Sequence, residues 1–160
     1  MDVSNYFKED LIMFLEGNSK QEVFEKIVAR LNKNGWVKDT YLDAVVKREE
    51  VYPTGLQAET LGVAIPHTDH MHVNEEVIAV GLVKNPVKFV HMGTEDMEVD
   101  VSIVFMLAIK KPDNQLGILQ VITEIIQKKE NLEKLASCST QKEALNIIFN
   151  LLNNQTDKAI

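Results

Sequence analysis

Three histidines and an aspartate follow directly on a short apolar run in the middle of this chain. The run is Gly62–Pro66, and His67 comes next. Because proline has no N–H to give to a neighbouring strand, Pro66 should end the strand and leave His67 at its carboxyl end, where open α/β sheets place ligands. An imidazole with a pKa of about 6.5 keeps a free lone pair at neutral pH. His67 could therefore act as a nucleophile, a general base or a metal ligand, and a structural loop histidine is the alternative.

A metal site is a second interpretation of this stretch, because its histidines and its aspartate are suitable zinc ligands. They are His67, Asp69, His70 and His72. In an extended segment residues 70 and 72 share one face while residue 67 points away, so ligation by all three histidines requires a turn. The His-x-His pair also resembles that of barrel hydrolases, but such a barrel needs about 250 residues and this chain has 160. We expect His70 and His72 to be loop residues near the site, with no metal.

The composition narrows the classes of partner and of chemistry. The formal net charge is −7, the wrong sign for wrapping nucleic acid or docking on anionic lipid. Cys138 is the one cysteine, so no internal disulfide can form, which fits a reducing, cytoplasmic location. No apolar run approaches the roughly 18 residues that cross a bilayer. Because no basic neighbour lowers the pKa of Cys138, we expect an inert thiol and give little weight to Cys/His hydrolase chemistry.

Hydrophobic periodicity predicts a single α/β domain over residues 1–160. The Ser-x-x-Glu and Thr-x-x-Glu spacings at Ser19 and Thr140 are capping boxes that should each open a helix. Asn34-Gly35 should close the first helix, and a second should begin at about Thr40. Three apolar stripes at helical spacing should face the core: Phe24, Ile27, Val28 and Leu31; Leu116, Leu119, Ile122 and Ile126; and Leu145, Ile148, Phe149 and Leu152.

Short runs rich in valine and isoleucine predict strands between these helices. They span residues 61–65, 77–83, 87–90 and 99–109. Asn85-Pro86 predicts a hairpin, and the alternating Val87-Lys88-Phe89 predicts an edge strand. The unbroken apolar run Ile103–Ile109 instead predicts a strand in the middle of the sheet. Because a hairpin cannot belong to a purely parallel sheet, the expected fold is a mixed parallel/antiparallel central sheet with helices on both faces.

Two segments of the sequence resemble a known family. They are Lys47–Gly55, with Arg-Glu and a Pro-Thr-Gly turn, and Leu61–His67, with Ala-Ile-Pro-His. Together they are similar to the phosphorylation-site region of the mannitol/fructose-type enzyme IIA components of the bacterial phosphoenolpyruvate-dependent sugar phosphotransferase system, and most closely to the galactitol-type branch. The resemblance extends across most of the chain. It implies that His67 is a phosphoryl acceptor.

The resemblance also implies that Arg48 is a site residue. Phosphoryl transfer depends on alignment and on stabilising the charge spread over three oxygens. The guanidinium is permanently charged and offers a planar fork to phosphate oxygens. A surface ion pair with Glu49 or a neighbouring helix residue is the alternative.

One position departs from the mannitol-type pattern, which carries a second histidine at the start of the helix after the long strand. In this chain Gln115 aligns there, as in galactitol-like members. A glutamine near a helix N-terminus can donate to a phosphate oxygen but cannot take up a proton. A histidine-assisted mechanism is therefore not carried over, and a solvated first-turn residue is the alternative role for Gln115.

The resemblance implies a cytoplasmic phosphocarrier, a phosphotransferase component with a phosphohistidine intermediate on Nε2. HPr would donate the phosphoryl group to His67, and a cysteine of the cognate IIB component would accept it, for uptake of a galactitol-like sugar or polyol through the membrane IIC component. No cofactor and no nucleic acid is implied. The alternative is a IIA-like regulatory domain whose histidine phosphorylation signals sugar supply. A chain of 160 residues without a helix-turn-helix favours the free-standing carrier.

Overall fold

Five strands form a mixed sheet at the centre of the protein. The computed structural model describes residues 2–158, so both ends of the expected domain lie outside the described residues. The strands are β1 (Phe7–Leu15), β2 (Gly55–Gln57), β3 (Gly62–Ala64), β4 (Val77–Val90) and β5 (Glu98–Ala108), in the spatial order β1-β4-β5-β3-β2. The parallel pairs are β1 with β4 and β3 with β5, and the antiparallel pairs are β4 with β5 and β2 with β3. This confirms the mixed sheet.

Helices cover both faces of this sheet, as the sequence predicts. The first two pack into one buried cluster and the last three into the other. Both capping boxes form, because the hydroxyls of Ser19 and Thr140 accept from the N–H groups three residues on, at 3.2 Å and 3.1 Å. Among the described residues no helix combines the length and apolar character that crossing a membrane requires. The helices are α1 (Lys20–Lys33), α2 (Tyr41–Val51), α3 (Pro112–Ile125), α4 (Lys129–Ser137) and α5 (Gln141–Lys158).

The predicted hairpin at Asn85-Pro86 is wrong. Strand β4 continues through these residues, and its register against β5 shifts between Leu82 and Val87. Because Pro86 has no N–H to donate, the ladder is interrupted there, but a bulge accommodates the irregularity without reversing the chain. The reversal lies at residues 91–97, between β4 and β5. Beyond the bulge, residues 87–90 pair with β5, whereas the pairs between β4 and β1 end at Val83.

The apolar stripe predicted for α3 is also partly wrong. Leu116 is 59% exposed, whereas Ile118, Ile122 and Ile125 are fully buried. This helix carries apolar residues around most of its circumference, so several stripes fit a period of 3.6 and packing selects among them. In contrast, β5 lies in the middle of the sheet as predicted, and its residues from Ile103 onward are buried.

The outer edge of the sheet at β1 is closed by side chains from two helices. The guanidinium of Arg30 donates to the carbonyl of Asp10 at 2.9 Å, and the amide of Gln141 donates to the carbonyl of Ile12 at 2.7 Å. The ammonium group of Lys26 donates to the carbonyl of Glu16 just beyond the strand. These bonds occupy acceptors that an edge strand otherwise presents to solvent.

The segments that carry the candidate site residues lie together at the carboxyl ends of β3 and β5, which form one edge of the sheet. Because β3 and β5 are parallel, their carboxyl ends lie together, and antiparallel β4 begins at the same edge. The segment after β3 carries His67, and the residue before β4 is Glu76. Helix α3 begins four residues after β5 ends. The topology therefore brings His67 and the N-terminus of α3 to one edge.

Candidate functional site

His67 is held at the carboxyl end of β3 by contacts with the neighbouring strand. The N–H of Leu107 donates to the carbonyl of Pro66 at 3.0 Å, and His67 forms a parallel bridge with Leu107. Pro66 therefore does not end contact with β5, because it lacks only the N–H donor and its carbonyl still accepts. The half-buried His67 thus lies on a segment whose backbone is bonded to β5.

The hydrogen bond of its ring selects one tautomer of His67. Nδ1 lies 2.8 Å from the carbonyl oxygen of Ile65. Because a carbonyl can only accept, Nδ1 carries the proton and Nε2 keeps its lone pair. Burial is the main cause that holds the pKa of His67 below 6.5, and the nearby positive charge of Arg48 acts in the same direction. The ring is therefore neutral at physiological pH, with Nε2 as its nucleophilic atom.

Arg48, in the last turn of α2, lies beside the loop that follows His67. Its guanidinium lies 3.6 Å from a carboxylate oxygen of Asp69, two residues after His67, and stacks over the ring of Tyr52 at 5.1 Å. The Arg48 side chain is 35% exposed. Its ion-pair partner is thus Asp69, and the alternative of a pair with adjacent Glu49 is wrong. Consecutive residues on a helix point about 100° apart and do not face each other.

Glu49 points inward and ties α2 to the strand that carries His67. Its two carboxylate oxygens accept from the N–H of Thr54 at 2.7 Å and from the Thr54 hydroxyl at 2.8 Å. That hydroxyl oxygen in turn accepts from the N–H of Ile65 at 3.2 Å. Glu49 and Thr54 are both buried, and burial raises the pKa of Glu49. The network fixes the position of Ile65, whose carbonyl oxygen holds the His67 ring.

We expect Glu49→Ala to lower the free energy of unfolding by about 2–4 kcal/mol, because it leaves the buried N–H and hydroxyl of Thr54 without an acceptor. Urea unfolding followed by circular dichroism measures the change. The matched control is Glu50→Ala, an exposed carboxylate on the same turn, which should stay within about 0.5 kcal/mol of the original chain. Equal losses in the two variants would contradict a special role for Glu49.

The N-terminus of α3 lies at the same edge and is anchored by Glu76. One carboxylate oxygen of Glu76 accepts from the N–H groups of Lys110 and Lys111 at 2.9 Å and 3.1 Å, and the other accepts from the Asn114 amide at 3.0 Å. Burial opposes the charged form of Glu76, but these bonds together lower its pKa.

Gln115 lies in the first turns of α3, half-buried. It lines a cleft of about 150 Å³ together with Asp69, His70 and residues 109–112. The structure thus brings Gln115 to the loop that follows His67. The backbone N–H of Gln115 donates to Lys111, so its side-chain amide is the group with which it could reach a ligand.

His70 lines the cleft, whereas His72, His91 and Cys138 make their contacts elsewhere. Nδ1 of His72 bonds the hydroxyl of Thr40 at 2.8 Å, and Nδ1 of His91 bonds the carbonyl of Met92 at 2.9 Å. Within residues 2–153, whose side chains are described, no three His, Cys, Asp or Glu residues are gathered as a metal site requires. Cys138 is buried between α4 and α5, and burial raises the pKa of its thiol.

The burial of Glu49 and the pairing of Asp69 with Arg48 are not among the features predicted from the sequence. A signal for Glu49 exists, because Tyr41, Val45 and Glu49 recur at i, i+4 and i+8 and all three are buried. A carboxylate on an apolar stripe indicates a buried polar network. For Asp69 the sequence suggests only a metal ligand, and nothing local relates it to Arg48, which lies 21 residues away on another element.

Comparison with known proteins places this chain in a family. The profile described as "Phosphoenolpyruvate-dependent sugar phosphotransferase system, EIIA 2" matches residues 5–151. The galactitol-specific EIIA component of Escherichia coli K12 is 30% identical over 133 residues, which cover 83% of this chain and 86% of that protein. The crystal structure of IIA mannitol from Escherichia coli superposes with a TM-score of 0.72 at 21% identity, over 91% of this chain and 99% of that one. A complex of enzyme IIA and phosphorylated enzyme IIB for mannitol, also from Escherichia coli, contains a chain that matches with a TM-score of 0.73 at 20% identity, over 90% and 96%.

Proposed function

Because this chain belongs to the EIIA 2 family of the phosphoenolpyruvate-dependent sugar phosphotransferase system, as a IIA component of the mannitol/galactitol type, we propose that His67 carries the phosphoryl group. The observation that carries the proposal is the bond from Nδ1 to the carbonyl oxygen of Ile65. It leaves Nε2 as a neutral nucleophile on a fixed backbone.

In the proposed uptake step, the lone pair of His67 Nε2 attacks the phosphorus of phosphohistidine on HPr. The new N–P bond forms as the N–P bond of the donor breaks, and the donor imidazole keeps that electron pair. In the second step a cysteine thiolate of the IIB component attacks the phosphorus, and His67 leaves as the neutral ring. The proton stays on Nδ1 throughout, donated in a hydrogen bond to the carbonyl oxygen of Ile65, so the ring needs no other proton to complete the cycle.

Arg48 supplies positive charge to this transfer. The transferring group spreads negative charge over three oxygens, and a guanidinium can bind two of them at once. Its charge already acts on the His67 ring, since it contributes to the lowered pKa. Stacking on Tyr52 and the pair with Asp69 hold the guanidinium at the site before the donor arrives.

Gln115 has a secondary part in this proposal. Its amide can donate to a phosphoryl oxygen near the N-terminus of α3, where the helix dipole favours an anion. Its position on the cleft beside Asp69 supports this role. It carries no proton for the transfer.

The partners of the proposed cycle are HPr as donor and the cognate IIB component as acceptor, with the IIC component served indirectly. We place the reaction in the cytoplasm, where donor and acceptor meet. The match to a IIA chain solved together with phosphorylated IIB supports the choice of acceptor. The match to a galactitol-specific component favours a galactitol-like polyol as the sugar served.

The test is phosphorylation by an active donor mixture, followed by mass spectrometry. The chain is incubated with phosphoenolpyruvate, enzyme I and HPr, kept mildly alkaline because phosphoramidates hydrolyse in acid, and then fragmented. We expect one phosphoryl group, located on His67. Addition at His70, His72 or His91, or no addition with a demonstrably active donor, would contradict the proposal.

A further inference from the structure

Asp69 lies where it can act against the phosphoryl group that His67 would carry. Its carboxylate pairs with the guanidinium of Arg48 at 3.6 Å, and it follows His67 by two residues. The negative charge of Asp69 raises the pKa of His67, whereas the positive charge of Arg48 lowers it. The two charges therefore have opposite effects on the pKa of the same ring.

We propose that Asp69 weakens the hold of the site on the phosphoryl group, by repelling it and by competing with it for Arg48. The inference rests on the phosphocarrier function proposed above. A phosphoryl group brings between one and two negative charges and three strong acceptor oxygens. When it forms on Nε2, the guanidinium must divide its bonding between the new oxygens and Asp69, and the carboxylate faces a second anion.

The balance matters because a carrier must both accept the group and give it away. An arginine without a competing carboxylate would stabilise phosphorylated His67 and make the onward step less favourable. Asp69 raises the free energy of the phosphorylated state relative to the free state. It thereby shifts the equilibrium toward transfer to the acceptor.

The carboxylate of Asp69 does not cap the turn that follows it. The residue precedes the 3-10 turn His70–His72, but its side chain makes no capping bond to that turn. The turn is closed by the backbone, where His72 donates to the carbonyl of Asp69 at 3.3 Å. Replacing the carboxylate by an amide of the same shape should therefore leave the loop intact.

The experiment compares Asp69→Asn with Asp100→Asn. Asp100 is a matched control, because it also forms an exposed ion pair, with Lys88 at 2.7 Å. It lies on β5 seven residues before Leu107, about 23 Å from the site at about 3.3 Å per residue. The measured quantity is the equilibrium constant for phosphoryl exchange between HPr and the chain, read from intact masses at mildly alkaline pH.

We expect Asp69→Asn to shift this equilibrium toward the phosphorylated chain by about two- to fivefold, the size of an exposed charge pair. High salt should reduce the shift, and Asp69→Glu should restore the original value. The pKa of His67, followed by NMR, should fall in Asp69→Asn, which a purely structural role would not produce.

An equilibrium constant for Asp69→Asn equal to that of Asp100→Asn, or a shift toward the free chain, would overturn the inference while leaving the phosphocarrier function intact. Loss of phosphorylation in the original chain would instead overturn the proposed function. The two failures are therefore distinguishable in one set of measurements.

Discussion

Replacing His67 by asparagine is expected to abolish phosphoryl uptake while leaving the chain folded. The asparagine amide nitrogen occupies about the position of Nδ1, so it can still donate to the carbonyl of Ile65, which accepts from the native ring at 2.8 Å. The variant has no atom equivalent to Nε2 with a basic lone pair. Because an amide is not a nucleophile at neutral pH, no covalent intermediate can form.

Intact mass after incubation with the donor mixture measures this effect, and the unfolding midpoint checks the fold. The matched control is His70→Asn, the same change three residues on at an exposed position, which should take up the group like the original chain. Uptake by His67→Asn would place the acceptor elsewhere. Loss of uptake in both variants would indicate damage to the loop and not to a nucleophile.

Replacing Arg48 by glutamine is expected to slow phosphoryl uptake by about 10²–10³-fold. This is the usual loss when one preorganised donor to a developing anion is removed, and charge stabilisation is the main work of a site that transfers phosphoryl groups. Glutamine keeps hydrogen-bonding capacity but loses the charge and the planar fork. Quenched-flow measurement of single-turnover transfer from phosphorylated HPr gives the rate constant of phosphoryl uptake.

Lys47→Gln is the control for this variant, because it makes the same change of charge at an exposed neighbouring position on α2. We expect its rate to stay within a few-fold of the original. Arg48→Gln should also raise the pKa of His67, since the positive charge of Arg48 contributes to lowering it. A normal rate in Arg48→Gln would remove the residue from the mechanism.

Features written into local sequence could be predicted. The capping boxes at Ser19 and Thr140 are patterns of four residues, and both form as expected. The apolar run Ile103–Ile109 has no polar face, which predicts a central strand, and β5 is the middle strand of the five. His67 follows an apolar run that ends in a proline, so its position after β3 could also be predicted.

Features that depend on packing could not be predicted in the same way. Pro86 disrupts a ladder whether the chain turns or bulges, and only the pairing of both flanks with β5 decides in favour of a bulge. Leu116 and Ile118 are equally apolar, and the position of α3 against the sheet determines which is buried. The pair of Arg48 and Asp69 joins residues from two elements, and no period in the sequence relates them.

The covered carbonyls along β1 determine how copies of this chain can meet. Another extended chain would have to displace the side chains of Arg30, Gln141 and Lys26 before it could bond to this edge. Sheet extension is a common route to aggregation and to long-lived association. With that route obstructed at β1, we expect that the protein can be concentrated without joining sheets along this strand.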